Sequence, residues 1–447
     1  METPKSQGNG VYWLTRAVTR RSDDNPLAVV LERESPAIEA SVHARGEAPP
    51  PSKTLRSIEL FSGAGGLALG THHAGFHHVA LVEWDRAACA TLRANVQARA
   101  VPGIDRWCVI EGDARDAIEN LHPSQLPDID LIAGGPPCQP FSIGGRHAGM
   151  DDPRNMIPVF AAAVRKFRPA AFIVENVRGL TRPGFSDYLR YVVLQFSFPS
   201  IAPEPDESWT SHFRRLEALD RITDFGWTRA GARYHVRAKL LNAADFGVPQ
   251  IRHRVFIVGF RGDLGRDWRF PEPTHFRELL EYEQQTGAYW SRHRIDHPVG
   301  SMRGNRTAML PLQTNHHRPR PWRTVRDGIA TLPPLDATGT NGYFNHRFIP
   351  GARSYAGHTG SAWDAPAKTL KAGDHGVPGG ENTLRLDDNT VRYFSVRETA
   401  RLQRFPNSWR FEGPWGEVMR QIGNAVPVKL AHVVARSVAK VLINGTT

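Results

Sequence analysis

"LFSGAGGLALG", residues 60–70, reads as the end of an apolar strand, a glycine turn and the opening of a helix. Glycines at such a turn let the backbone pass close to a ligand at the carboxyl edge of a sheet. The pattern repeats outward. "HVALVEWD" (78–85) is a second strand, and "RAACATLRANVQARA" (86–100) has helical spacing. "WCVIEGDARD" (107–116) carries a third strand, "IDLIAGG" (129–135) a fourth and "AFIVENV" (171–177) a fifth. "YHVRAKLLNAADFG" (234–247) and "HRVFIVGF" (253–260) complete the series. Near-continuous apolar strands alternating with helices predict an α/β, Rossmann-like fold whose parallel sheet is covered on both faces.

Four segments are expected. Residues 1–52, rich in Pro, Ser, Glu and Arg, read as a disordered or loosely attached extension with a short helix near "PLAVVLERE". Residues 53–261 form the first domain. Residues 262–395 hold many Arg, His, Pro, Gly and Trp in few periodic runs, and read as a smaller, irregular, partly β domain. Residues 396–447 return to the first domain: "SVRETARLQRFP" is helical, and "GNAVPVKLAHVVARSVAKVL" (423–442) reads as a closing helix. The insert 199–222 holds a surface helix near "HFRRLEALDRI".

Composition narrows the classes. A net charge of +11 and many more arginines than lysines suit a polyanionic partner such as nucleic acid. The three cysteines, Cys89, Cys108 and Cys138, form no CxxC pair, which excludes a disulfide framework and a zinc ribbon. No apolar run is long enough to span a bilayer, and the N-terminus lacks a signal-peptide layout, so a cytoplasmic location is expected. The histidines of "HHAGFHH" (72–78) fall on a helix end and turn without companion ligands, and read as solvated surface, not as metal ligands.

Two acids follow the glycine loop at successive strand ends. Glu83 suits a ribose diol, and Asp113 suits an adenine amino group. Gly63, Ala64, Gly65 and Gly66 make a tighter turn than the dinucleotide fingerprint, with no basic residue to meet a phosphate. That favours S-adenosylmethionine over a nicotinamide cofactor.

"GGPPCQPFS" (134–142) sets Cys138 at the end of the fourth strand, where Pro136 and Pro137 dictate a rigid, non-helical exit that presents the thiol. Glu175 stands on the neighbouring strand, and "QIRHR" (250–254) places Arg252 and Arg254 two residues apart. A thiol, a carboxyl and arginines beside a methyl donor suit one reaction on cytosine. A thiolate adds to carbon 6, carbon 5 becomes nucleophilic, and a carboxylic acid at ring nitrogen 3 offsets the charge. Arginine beside the thiol increases its thiolate fraction, and burial raises the carboxyl pKa.

These motifs resemble, in order, those of the cytosine carbon-5 DNA methyltransferases of bacterial restriction–modification type, over residues 53–447. The matching stretches are "IELFSGAGGLALG", "VEWD", "EGDARD", "GGPPCQPFS", "ENV", "QIRHR", "RETARLQRFP" and "QIGNAVPVKLA". The resemblance implies a methyltransferase sheet with S-adenosylmethionine as cofactor and 262–395 as a target-recognition domain. It implies that Cys138 attacks, Glu175 acts at ring nitrogen 3, and Arg254, supported by Arg252, steadies the base. Phe61, Ser62, Gly63, Ala64, Gly65, Gly66, Glu83, Trp84, Asp113, Ala114, Pro136 and Asn424 would line the cofactor pocket. "SIGGRHAGMDDPRN" (142–155) would close on DNA, and "PAKTLKAGDHGVPGG" (366–380), with Gly376, Gly379 and Gly380, would approach its groove. The expected partner is double-stranded DNA, whose target base is flipped out of the stack. A restriction endonuclease would act on the same site without a stable complex, and a monomer suffices. An RNA cytosine methyltransferase and an inactive DNA-binding regulator are the alternatives.

Overall fold

The computed structural model describes residues 54–137, 155–222, 227–228, 231–296, 318–336, 342–354, 359–372 and 382–444. Residues 1–52, Cys138, most of the 142–155 loop, and Gly376, Gly379 and Gly380 lie outside the described residues. Seven strands form the central sheet: β1 (Leu55–Leu60), β2 (Phe76–Glu83), β3 (Val109–Glu111), β4 (Leu131–Gly134), β5 (Ala171–Val177), β6 (Tyr234–Asn242) and β7 (His253–Arg261). Their order is β3-β2-β1-β4-β5-β7-β6. The chain switches direction between β1 and β4, where open α/β sheets place their ligands.

The sheet is not wholly parallel. β1 to β5 run parallel, but β7 lies antiparallel to both β5 and β6. The reason is the link between β6 and β7. Residues 243–252 hold a single 3-10 turn, too little chain for a crossover helix. β7 therefore folds straight back and inserts between β5 and β6. Its first residues, instead of its last, reach the ligand edge.

Alternate side chains along each strand feed opposite faces. Ile132, Phe172 and Val174 join one core with α4 (Ile157–Phe167) and α5 (Ser186–Ser197). Leu131, Ala133, Ala171 and Ile173 join another, with α12 (Val428–Asn444). Each such buried Ile, Leu or Phe contributes about 1.5–3 kcal/mol. A third core joins α1 (Gly66–His73) and α2 (Arg86–Gln97) to the returning C-terminal segment through Leu92, Trp409 and Met419. In that segment, a capping box of Ser395 and Glu398 starts α10 (Val396–Leu402). The expected closing helix is two: α11 (Trp415–Asn424) ends at Asn424, and α12 begins after Pro427.

Between 262 and 395 the described structure is irregular, as expected, with little β. Two pairs of short strands occur, β8 (His275–Phe276) with β9 (Arg320–Pro321) and β10 (Thr383–Arg385) with β11 (Val391–Tyr393). The insert helix runs over Trp209–Ile222 and is more than a surface feature: Trp209 and Phe213 pack on Tyr191, and Leu216 is buried.

Within the histidine cluster, His73 and His77 are exposed as expected, and His78 departs from the solvated surface. His78 is buried between β1, β2 and α1. Ala68 O, 3.0 Å away, can only accept, so His78 Nε2 carries the proton. Ser57 Oγ then donates to Nδ1 over 3.0 Å. Burial pushes this imidazole down to about 3. The unfolded chain takes up a proton below about 6.5, which the folded chain refuses until about 3. Stability tied to His78 is thus full above 6.5 and falls by about 1.4 kcal/mol per pH unit below it. Urea titrations of wild type and His78→Asn at pH 7.5 and 5.5 test this: the wild type should lose about 1.4 kcal/mol more than the variant, and equal losses would refute the assignment.

Candidate functional site

The glycine turn sits at the carboxyl ends of β1 and β2, and its backbone explains its composition. Gly63 has φ +52°, and a side chain built there would meet no described atom within 4 Å, so the turn opens outward at this point. Gly66 faces the opposite constraint: an added Cβ would stand 2.3 Å from Val426 O, where the chain's return crosses the turn. Phe61, half-buried, also has positive φ, at +57°. Ser62 is buried, its N–H donating to Val82 O at 3.2 Å, and Ala64 is packed into the third core.

Glu83 closes β2 beneath this turn. Its Oε2 accepts from Gly63 N at 2.7 Å, and its Oε1 accepts from Trp84 N at 3.0 Å and Asp85 N at 2.9 Å. Burial raises its pKa, and the three N–H donors oppose that rise. The next side chain, Trp84, is 75% exposed, the most exposed large apolar residue described. A carboxylate held by its backbone, an uncovered indole beside it and open space over Gly63 fit an adenosine: ribose hydroxyls on Glu83, adenine against Trp84. Asp113 lies two residues beyond β3. Its carboxylate caps α3 (Ala114–Asn120) through Arg115 N at 2.8 Å and meets Arg115 Nη1 at 3.0 Å. Ala114 is buried as the first residue of that helix. Asn424 is exposed at the end of α11.

The second half of the site lies across β4, β5 and β7. Glu175 is buried, Arg254 is half-buried, and the two are in contact, Arg254 Nε to Glu175 Oε1 at 2.7 Å. Desolvation raises the Glu175 pKa, with Arg254 and then Arg252 pulling it back. Desolvation likewise lowers the pKa of Arg254. The loop after β4 runs against this pair: a Cβ on Gly135 would be 3.2 Å from Glu175 Oε2. Asn176, whose role sequence reasoning missed although it stands in "ENV", donates from Nδ2 to Pro136 O at 3.1 Å. It ties the strand of the acid to the loop that continues into Cys138.

Arg252 and Arg254 have different hydrogen-bond partners. Arg252 precedes β7 and is wholly buried. Its Nη1 donates to Leu370 O at 2.8 Å, and its Nη2 donates to Gly423 O and, at 3.1 Å, to Ala425 O. It thereby grips the backbone on both sides of Asn424. Cys89 is buried and Cys108 exposed. The Cys89 thiol donates to Glu83 O at 3.3 Å, and burial pushes it up to about 12, which keeps it an inert thiol. Among the described residues no group of His, Cys, Asp or Glu is arranged to hold a metal ion.

Comparison with known proteins converges with this geometry. The profile of the family described as C-5 cytosine-specific DNA methylase matches residues 55–198 and 222–440. The type II methyltransferase M.NgoMIV of Neisseria gonorrhoeae is 32% identical over 387 residues, covering 86% of this chain and 97% of its own. The type II methyltransferase M.PspPI of Psychrobacter sp. (strain TA137) is 31% identical over 404 residues, covering 88% of this chain and 80% of its own. A crystal structure of a Spodoptera frugiperda DNMT2 mutant shares the fold, with a TM-score of 0.52 at 15% identity over 86% of this chain and 99% of that one. With a family match over most of its length and a Rossmann-like sheet whose ligand edge suits an adenosyl cofactor, this chain belongs to the C-5 cytosine-specific DNA methylase family and is a DNA (cytosine-5-)-methyltransferase that uses S-adenosylmethionine.

Proposed function

We propose that the chain methylates a cytosine within a specific duplex sequence, with Cys138 as nucleophile, Glu175 as acid and Arg254 as the cation that holds acid and base in register. The Glu175–Arg254 contact beside the loop leading to Cys138 carries this reading. The bound cofactor supplies an electrophilic methyl group on a sulfonium. The Cys138 thiolate bonds to carbon 6 of an extruded cytosine, and the ring electrons move toward carbon 5. Glu175 gives or shares its proton at ring nitrogen 3, so the ring is not left with a full negative charge. Carbon 5 takes the methyl group, and the neutral thioether S-adenosylhomocysteine is the leaving group; water then takes the carbon-5 proton, the thiolate departs, ring nitrogen 3 returns its proton to Glu175, and the aromatic ring and Cys138 are restored. Arg252 supports the site from outside the base pocket, through the backbone around Asn424.

On the same reading, Phe61, Ser62, Gly63, Ala64, Gly65, Gly66, Glu83, Trp84, Asp113, Ala114, Pro136 and Asn424 line the cofactor pocket. Residues 53–261 with 396–447 are the catalytic part. Residues 262–395 are the target-recognition part, and 142–155 close on the DNA. The names of the relatives, type II methyltransferases, support a protective role beside a restriction endonuclease that reads the same site without stable contact. The enzyme then acts as a cytoplasmic monomer. No helix among the described residues is long and apolar enough to cross a membrane.

Cys138→Ser should abolish methyl transfer while leaving S-adenosylhomocysteine binding within about twofold of wild type. Duplex DNA carrying 5-fluorocytosine at the target should form a covalent adduct with the wild type alone. An adduct on the serine variant would defeat the nucleophile assignment. Glu175→Gln removes a proton source but keeps an amide of similar shape, and should slow single-turnover methylation by about 10²–10⁴-fold. Turnover within a few-fold of wild type would remove Glu175 from the chemistry.

The net charge of +11 sets a further expectation for binding. In the presence of S-adenosylhomocysteine, the logarithm of the duplex DNA association constant should fall linearly with the logarithm of salt, with a slope proportional to the phosphates neutralised. A flat response between about 50 and 200 mM salt would rule out the arginine-rich surface as a backbone contact.

A further inference from the structure

Among the charged clusters that the mechanism leaves unused, that of Arg420 touches the proposed cofactor side of the site. Arg420 lies on α11, four residues before Asn424. Its Nη2 is 2.6 Å from Asp85 Oδ2, and its Nε is 3.0 Å from Glu417 Oε2 on its own helix. Asp85 holds three groups at once. Its Oδ2 takes Arg420, its Oδ1 accepts from Ala88 N at 2.8 Å to cap α2, and its own N–H donates to Glu83 Oε1 at 2.9 Å. Only Asp85 stands between the guanidinium of Arg420 and the carboxylate suited to the ribose.

The rest of α2 is fixed independently of this pair. Thr91 Oγ1 donates to Gln421 Oε1 at 2.8 Å. Asn95 exchanges two hydrogen bonds with the backbone of Arg410, at 2.7 and 2.8 Å. Thr91, Asn95 and Gln421 are buried, and Leu92 packs in the third core with Trp409 and Met419. Loss of Arg420 therefore leaves α2 docked by its middle. It removes a tie on Asp85, the cap residue just ahead of α2, and so on the Trp84–Asp85 segment. Glu417, on the same helix, limits the side-chain freedom of Arg420 and so favours a single position for Asp85.

We infer that Arg420 is a positioning residue for the adenosyl cofactor: through Asp85 it fixes the turn that aims Glu83 and Trp84. The inference rests on the cofactor pocket proposed above. Because the Arg420–Asp85 contact is partly exposed, its role is orientation more than stability.

The test is calorimetric titration of the full chain with S-adenosylhomocysteine, together with the melting temperature of the unliganded protein. Arg420→Gln should weaken binding about five- to tenfold, a change of about 1–1.4 kcal/mol. Asp85→Asn, which keeps a helix-capping side chain and removes the charge, should do the same. The double variant should be no weaker than either single, since both break one link. Arg420→Lys should recover part of the loss, and unliganded melting temperatures should stay within about 2 °C. Wild-type affinity in the single variants, additive losses in the double, or a melting temperature that falls with the affinity would each overturn the inference. Glu83→Gln is the control for the pocket itself. If Glu83→Gln loses the ligand and Arg420→Gln does not, only this inference fails; if Glu83→Gln binds normally, the pocket assignment fails first.

Discussion

Withdrawing a carboxyl and a guanidinium from water together is the constraint around which this protein is organised. Glu175 and Arg254 meet at 2.7 Å with little solvent access. Neither tolerates solitude there, because an unpaired buried charge costs about 3–5 kcal/mol. Burial drives Glu175 toward its neutral form, and Arg254 drives it back. A carboxyl balanced in this way changes its protonation at small cost when a third polar group arrives. A cytosine ring nitrogen is such a group. The pair exists because β7 runs against β5, with Val177 opposite Arg254 in the register. A parallel β7 would have brought Phe260 and Arg261 to the ligand edge in place of His253 and Arg254.

The two glutamates of the proposed site show how neighbours assign different chemistry to one side chain. Both are buried, and burial raises both pKa values. Glu83 is answered by three backbone N–H groups, which are fixed dipoles that stabilise the anion and carry no proton to give. An anion so held is a good acceptor for two hydroxyls. Glu175 is answered by a side-chain cation and by the edge of a glycine loop. It keeps the option of holding a proton. The same logic separates the arginines. Arg254 contacts a carboxylate, whereas Arg252 donates to carbonyl oxygens and serves the backbone.

Much of this was legible in the residues, for physical reasons. Short apolar runs ended by Gly, Asp or Glu announce strands whose carboxyl ends carry function, and Glu83, Asp113 and Glu175 stand at or near such ends. The direction of β7 was not legible from its own residues, which read alike in either orientation. It follows from the length of the preceding link. Nor were the partners of Arg252, whose carbonyl acceptors lie 118 or more residues away. His78 looked like its exposed neighbours because a histidine run carries no apolar periodicity. Its partners Ser57 and Thr71 are 21 and 7 residues away. The links of Asp85 to Arg420 and of Thr91 to Gln421 were silent because they span 335 and 330 residues.

That long-range closure explains why the catalytic fold is assembled from both ends of the chain. The cofactor turn cannot be completed by residues 53–261 alone. Gly66 is shaped by the carbonyl of Val426, the first turn of α2 by Arg420, and the surroundings of Asn424 by Arg252. Arg252 also holds Leu370, and Gln250 accepts from Leu370 N at 3.1 Å, so the segment entering the proposed recognition loops shares an anchor with the cofactor end. One buried guanidinium thus joins the backbone at Leu370 to the backbone on both sides of Asn424, so segments more than 50 residues apart are held in register by a side chain from a third.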